Sequence, residues 1–166
     1  MNVIGIVGWK NCGKTTLAGA LIRELCHRGL TVNSIKHAHH GVDVDQPGTD
    51  SYHHREAGAR EVILAGGQRF AIMHELRGAG EPTLDELLGR LGPCDWVVVE
   101  GFKSHGYPKI EVHRRACPHA PLYPNDASII AVAADYAPDF AGPRFDLNNV
   151  SGLADFMLNL EQPGTA

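Results

Sequence analysis

The chain predicts an α/β fold, a doubly wound, mostly parallel sheet with an inserted β-hairpin. Three observations carry that prediction. Short apolar, β-branched runs ("NVIGIV", "WVVVE", "SIIAVAA") alternate with stretches of helical periodicity, the pattern of βαβ units whose strands are buried on both faces. The first run ends in a glycine-rich turn that opens directly into an amphipathic segment. Midway, two strand-like runs straddle "GGQ", the spacing of a hairpin. With 166 residues, 43% hydrophobic and 20% charged, one domain over residues 1–160 with a flexible tail over 161–166 is expected, large enough to bury its own core.

Each element has a local reason. Val3 to Val7 is an apolar strand stopped at Gly8, and Thr15 to Arg28 places Leu17, Leu21, Ile22 and Leu25 at helical spacing before Gly29 ends the helix. "TVNSIKH" reads as a second strand, and a helix follows from Asp50, capped by Asp50 or Ser51. "EVILAG" and "RFAIMHEL" form the hairpin, and "TLDELLGRL" is a short helix with Thr83 and Glu86 at capping-box positions. "WVVVEGF" is the most apolar β-branched run and is expected at the centre of the sheet, with Asp95 a structural residue at its entrance. "KIEVHR", "SIIAVAAD" and "RFDL" are further strands, and "VSGLADFML" is a closing helix.

Composition narrows the function classes. A net charge of −4 argues against a broad nucleic-acid footprint. No apolar stretch reaches the length of a membrane span, and the start reads straight into a strand without the pattern of a leader. The four cysteines, Cys12, Cys26, Cys94 and Cys117, are scattered with no disulfide-like spacing, which suits a reducing compartment. A cytoplasmic protein that contacts neither nucleic acid nor membrane is expected.

The most informative stretch is "GWKNCGKTT", where Gly8-x-x-x-x-Gly13-Lys14-Thr15 fits the G-x-x-x-x-G-K-[ST] phosphate loop in full. The glycines let backbone N–H groups turn toward phosphate oxygens. Lys14 would reach the β- and γ-phosphates, the Thr15 hydroxyl would bind Mg²⁺, and the helix start aims its positive end at the anion. Gly8, Asn11, Cys12, Gly13, Lys14, Thr15 and Thr16 are thus the candidate nucleotide-binding residues of the loop. Cys12, at a helix N-terminus, is either a reactive thiol or a small residue tolerated in the loop.

A phosphate loop needs a carboxylate at the end of a neighbouring strand. Glu100 follows the apolar run of "DWVVVEGFK", with Gly101 beside it to let backbone approach the phosphates, so Glu100 is a candidate Mg²⁺ and catalytic residue. The segment "KHAHHGVDVDQPGTDS" gathers three histidines and three aspartates after the second strand, at the sheet edge where ligands of open α/β folds bind. There Asp43 and Asp45 would hold Mg²⁺ through water or orient an attacking water. The plain alternative is a solvated polar loop. Asp135, just past "IIAVAA", is either a guanine-edge acceptor or a strand-ending turn residue, and the chain has no N-K-x-D motif.

Taken in order, "GWKNCGKTTL", "IKHAHHGVDVDQPGTDSYHHREAGA", "VVVEGFK", "IIAVAAD" and "VSGLADF" resemble the molybdopterin-guanine dinucleotide biosynthesis protein B (MobB) family over nearly the whole chain. The histidine- and aspartate-rich segment and "VEGFK" are far more specific than the phosphate loop. The resemblance implies a P-loop NTPase-like fold and a cytoplasmic, homodimeric GTP-binding protein with slow hydrolysis. Such a protein would assist the guanylyltransferase, protein A of the pathway, that attaches GMP to molybdopterin, and would work beside molybdopterin-bearing proteins. GTP with Mg²⁺ is the implied cofactor. Carried over position by position, Gly13, Lys14, Thr15 and Thr16 take phosphate and Mg²⁺ roles. Glu100, Gly101 and Lys103 fall on the Walker-B-like segment. His37, His40, Asp43, Asp45, Asp50 and Ser51 fall on the histidine- and aspartate-rich loop. The chain departs from the pattern at Thr49, where a lysine is expected.

No arginine finger is evident near the loop and no glutamine is poised to orient water, so slow turnover is expected. Two other readings stay open at this point. A small-molecule P-loop kinase would use Arg114–Arg115 to clamp an acidic substrate, and a nucleotide-gated metal chaperone would use His37, His39 and His40. A P-loop domain this small often completes its site across a two-fold axis, and "RFAIMHEL" offers strands to pair there.

Overall fold

Strands with apolar residues at successive positions must be covered on both faces, and the sheet is ordered accordingly. In a computed structural model, which describes residues 1–38 and 43–160, six parallel strands run in the order β2-β5-β1-β6-β7-β8. They are β1 (Asn2–Val7), β2 (Val32–Lys36), β5 (Trp96–Glu100), β6 (Lys109–His113), β7 (Ile129–Ala134) and β8 (Arg144–Asp146). Helices α1 (Lys14–His27) and α4 (Val150–Leu158) lie on one face. Leu17, Leu21, Leu25, Leu153 and Met157 pack there onto Ile4, Ile6, Val98 and Ile110, all nearly or fully buried. On the other face Leu122, Tyr123, Tyr136 and Phe140 cover Val7, Ile129 and Val132. The α/β prediction of a mostly parallel doubly wound sheet holds. Because β5 lies on one side of β1 and β6 on the other, the carboxyl ends of β1 and β5 meet where chain connections diverge, the usual place for a ligand in such sheets.

β6 departs from the apolar pattern of its neighbours. Lys109, Glu111 and His113 alternate along it, and all three are buried. Each ties down a segment beside the strand. Lys109 Nζ donates to the Lys103 carbonyl at 2.6 Å, to Asp126 at 2.8 Å and to Ser128 at 2.7 Å. Glu111 accepts the backbone N–H groups of Leu122 at 2.8 Å and Tyr123 at 2.9 Å. Burial raises the Glu111 carboxyl above its ordinary value, and those two N–H donors pull the other way. His113 pairs through Nδ1 with the Tyr136 hydroxyl at 2.8 Å and through Nε2 with the His119 carbonyl at 3.0 Å. A polar face buried in this way fixes the course of residues 103–136 beside the phosphate loop.

At the opposite end of β5, Asp95 accepts the Thr31 hydroxyl and the Thr31 N–H, both at 2.7 Å, and these bonds hold its carboxyl below the ordinary range. A carboxylate lowered in the folded state contributes stability above its unfolded value, 3.8, and loses it as pH falls below that value. Thr31→Val should therefore destabilise the protein near neutrality by an amount that shrinks as pH falls from about 6 to about 3. Urea midpoints for both proteins across that range check it. A difference independent of pH would remove Asp95 from the account.

The described residues form two compact units, one built on Met1–His37 with the chain from Leu87 onward, the other on the segment up to Glu86 between them. The second unit holds α2 (Asp50–Glu56) and the antiparallel hairpin of β3 (Glu61–Ala65) and β4 (Phe70–His74). The cap of α2 is Thr49, one residue before the predicted Asp50 and two before Ser51: extended at φ −79°, it accepts the Tyr52 N–H at 3.3 Å. Ser51 is then free to turn inward to Asp45 at 2.9 Å. The capping box ahead of α3 (Leu84–Leu88) forms as predicted, with Thr83 N–H on Glu86 at 2.7 Å and Glu86 N–H on Thr83 Oγ1 at 3.2 Å. Among the described residues no helix is long and apolar enough to cross a membrane. His39, His40 and the predicted tail 161–166 lie outside the described residues.

Candidate functional site

The loop of residues 8–16 has the backbone of a cradle. Gly8, at φ +144°, passes so close to β6 that a Cβ there would meet the Val112 carbonyl at 2.4 Å. Asn11 and Gly13 also take positive φ, 62° and 100°, which turns the chain inward immediately before α1. Glycine or asparagine is the residue type that tolerates such angles. Lys14 curls back over the loop and donates to the Trp9 carbonyl at 2.8 Å. Burial lowers the pKa of this ammonium, Glu100 raises it, and the neighbouring Lys103 and Lys36 lower it further. An anion set among these cations would complete the charge balance.

The carboxyl end of β5 brings the predicted metal residue Glu100 to Thr15 on that loop, and the end of β2 brings Lys36 beside it. Lys36 and Glu100 are register partners. Glu100 Oε1 accepts the Thr15 hydroxyl at 2.7 Å, Glu100 Oε2 lies 3.5 Å from Lys36 Nζ, and Lys36 Nζ lies 3.3 Å from Thr15 Oγ1. A hydroxyl and a carboxylate side by side at a phosphate cradle are hard oxygen donors of the kind Mg²⁺ takes, its remaining positions filled by water and phosphate. The donor set therefore fits Mg²⁺. Lys103 Nζ sits 4.1 Å from the centre of the Trp9 ring, on the same loop. Gly101 donates its N–H to the Ile6 carbonyl at 3.2 Å, and the His37 ring stacks on Phe102 at 4.4 Å.

Asp43, Asp45, Asp50 and Ser51 belong to the second unit. Arg55 reaches Asp43 at 3.2 Å, Asp45 at 3.1 Å and Glu75 at 2.7 Å, and these bonds keep its guanidinium charged. Burial by itself would raise the Asp45 carboxyl, but the Thr49 and Ser51 hydroxyls and Arg55 hold it below the ordinary range. Asp50 is an exposed acidic residue in the first turn of α2, where it complements the helix dipole. Among the described residues no three His, Cys, Asp or Glu side chains converge as a metal cluster.

Two features differ from the sequence reading, the pairing of Cys12 and the position of Arg114. Cys12 is joined to Cys117 in a disulfide across 105 residues. Parallel strand order brings the end of β6 over the phosphate loop, so the scattered spacing concealed a pair. Arg114 reaches the loop from the same place, donating from Nε to the Cys12 carbonyl at 3.3 Å, so an arginine does lie against the cradle. Asp135 is exposed and accepts the Arg115 N–H at 2.7 Å. The groove that continues from the loop, about 190 Å³, is lined by Gly13, Thr16, Leu17, Ala20, Arg114, Leu147, Asn148 and Val150, and Asp135 lines a separate groove of about 410 Å³ with Tyr136, Arg144 and Asp146. Arg114 stood out in the sequence only as half of a basic pair and Asn148 not at all, because each reaches the loop only through the order of β6, β7 and β8.

With this geometry in place, the relatives decide the family. The model of the family described as "Molybdopterin guanine dinucleotide synthesis protein B" (MobB) matches residues 3–135. The chain belongs to the MobB family. It is 40% identical over 163 residues to the molybdopterin-guanine dinucleotide biosynthesis adapter protein of Escherichia coli K12, covering 96% of this chain and 93% of that one. It is 41% identical over 160 residues to the protein of the same name from Haemophilus influenzae, covering 95% and 88%. A crystal structure of molybdopterin-guanine biosynthesis protein B superimposes with a TM-score of 0.72 at 27% identity, over 94% of this chain and 97% of that one. The MobB structure from Bacillus subtilis, at 21% identity and a TM-score of 0.74, shares the fold. These matches make the sheet a P-loop NTPase-like one in family as well as in strand order.

Proposed function

We propose that this MobB-family chain is a cytoplasmic adapter that binds GTP with Mg²⁺ on the loop of residues 8–16, hydrolyses it slowly, and assists the guanylyltransferase that attaches GMP to molybdopterin. The observation that carries the nucleotide reading is the 2.7 Å contact between the Thr15 hydroxyl and Glu100 beside the Lys14 cradle. The adapter role rests on relatives that bear that name across nearly their full length.

Each residue has a task in this reading. The N–H groups of Gly13, Lys14, Thr15 and Thr16 at the start of α1 face the phosphates, and Lys14 exchanges the Trp9 carbonyl for phosphate oxygens. Thr15 and Glu100 hold Mg²⁺, which when bound neutralises charge on the phosphate oxygens. Arg114 and Thr16 line the groove of about 190 Å³ beside the loop, which supports that groove as the nucleoside's position. The Asn148 amide offers both a donor and an acceptor to a purine edge. Asp45 and Asp43, occupied by Arg55, hold the second unit together. Catalysis is limited to positioning and charge, and turnover is slow.

A second copy of the chain is the proposed partner of the hairpin. Ile63, Phe70 and Ile72 share one face of β3 and β4 and Leu64 lies on the other, all more than half exposed, an apolar hairpin with strand edges to pair. Sedimentation should give a dimer mass, and a monomer at all concentrations would remove this part.

Calorimetric titration with GTP, GDP and ATP in Mg²⁺, followed by guanylylation assays with and without the chain, tests the reading. Guanine-selective binding and increased guanylylation are expected. ATP preference, or guanylylation unchanged by added protein, would sink it.

A further inference from the structure

We infer that Cys12 and Cys117 form a thiol–disulfide site whose redox state sets the rigidity, and with it the nucleotide affinity, of the phosphate loop; the affinity part rests on the nucleotide reading above. Cys12 is buried in the loop between two positions of positive φ, Asn11 and Gly13. Cys117 lies on the turn after β6, its N–H bonded to the Arg114 carbonyl at 2.9 Å. Their Cα atoms are 6.1 Å apart, within the range a disulfide spans without backbone movement. The other two cysteines, Cys26 and Cys94, are unpaired.

Contacts on either side keep the two segments together whether or not the bond is present. The Trp9 indole donates to the Ala120 carbonyl at 2.8 Å, the Trp9 and His119 rings are 4.6 Å apart, and Arg114 holds the Cys12 carbonyl. Reduced thiols held this close rejoin in a unimolecular step, which favours ready cycling. In a reducing compartment such a pair works as a sensor rather than as a structural staple.

The chemistry needs only a low-molecular-weight thiol and its disulfide. On reduction, a thiolate RS⁻ attacks the Cys117 sulfur, the partly exposed partner, while that of Cys12 is buried. The Cys12–Cys117 bond breaks, Cys12 leaves as a thiolate at the positive end of α1 and takes up a proton, and Cys117–S–SR remains. A second RS⁻ releases the Cys117 thiol and yields RS–SR. In total the protein disulfide gains two electrons and two protons, and two RSH are oxidised to RS–SR. Oxidation is the reverse.

Oxidised, the loop is tied at its apex to the end of β6 and is already bent as a cradle. Reduced, the 8–16 backbone keeps fewer restraints, and nucleotide must order it on binding. GTP should therefore bind about tenfold more weakly to the reduced protein.

The test uses the full chain poised with oxidised or reduced glutathione. Three readouts are taken: alkylated thiols by mass spectrometry, hydrogen exchange of residues 8–16 without nucleotide, and GTP–Mg²⁺ affinity by calorimetry. Expected results are alkylation of Cys26 and Cys94 alone when oxidised and of all four cysteines when reduced, with faster loop exchange and weaker GTP binding on reduction. Cys117→Ser, which leaves the loop sequence intact, should match the reduced wild type at either poise. Four reactive thiols under oxidised glutathione, or equal exchange and equal affinity in both states, would overturn the inference. Loop exchange that follows the redox poise while neither state binds nucleotide would support the lock and overturn the nucleotide reading instead.

Discussion

Lys14→Ala is expected to weaken GTP binding by roughly 10²- to 10³-fold while leaving the fold intact. In the free protein the ammonium has one hydrogen-bond partner in the loop, the Trp9 carbonyl at 2.8 Å. It is partly buried and stands near Lys36 and Lys103, which makes its charge costly until an anion arrives. Bound phosphate oxygens would give it charge-assisted hydrogen bonds, each worth about 1.5–3 kcal/mol. Losing two such bonds, at about 1.4 kcal/mol per tenfold, gives the stated range or more. Stability should change little, since the side chain carries none of the core packing around α1. Calorimetric titration of wild type and variant, with a thermal melt of each, checks both statements. Affinity within about threefold of wild type would mean that phosphate is not held by this loop.

The largest effect on stability is expected at Lys109. Its side chain is 3% exposed, and its ammonium joins Asp126, Ser128 and the Lys103 carbonyl. Asp126 is held below the ordinary carboxylate range, because bonds from Lys109 and Ser128 outweigh the effect of burial. Removing one member of a buried ion pair leaves the other uncompensated and costs about 3–5 kcal/mol. Lys109→Ala should therefore lower the melting temperature by on the order of 10 °C for a chain of this size. Lys109→Met, which keeps the apolar stem, should recover part of the loss. That stem explains a glycine within β1. Gly5 pairs with Lys109 in register, and a Cβ there would meet the Lys109 side chain at 2.9 Å. Urea unfolding is the measurement, and a loss below about 1 kcal/mol would show the ion pair to be behaving as an exposed one. Because Lys109 also anchors the Lys103 carbonyl, the variant should loosen the 101–108 segment beside residues 8–16.

Much of the fold was legible because its signals are local. Four β-branched or apolar residues in a row at Trp96–Val99 mark a strand buried on both faces, and Thr83 with Glu86 marks a helix start within a single turn. The bend of residues 8–16 was legible for the same reason, since its backbone demands fall on Gly8, Asn11 and Gly13 alone. The cap of α2 was misplaced by one residue from Asp50 and two from Ser51, Thr49 being as good a cap chemically and the one whose backbone is extended there.

What the sequence alone determined, then, was the element types, the tight glycine-rich turn into α1, the approach of Glu100 to Thr15 and the family pattern. Tertiary structure decided which distant groups meet. Periodicity and capping act over a few residues, whereas neighbours across a parallel sheet follow from strand order, which no short window contains. The placement of β6 beside β1 set Cys117 against Cys12 and Arg114 over Gly13, and buried Lys109 against Gly5. The arrival of β8 and α4 beside α1 put Asn148 in the groove next to Thr16. Each of these pairs is separated by more than a hundred residues of chain, and only the folded sheet closes that distance.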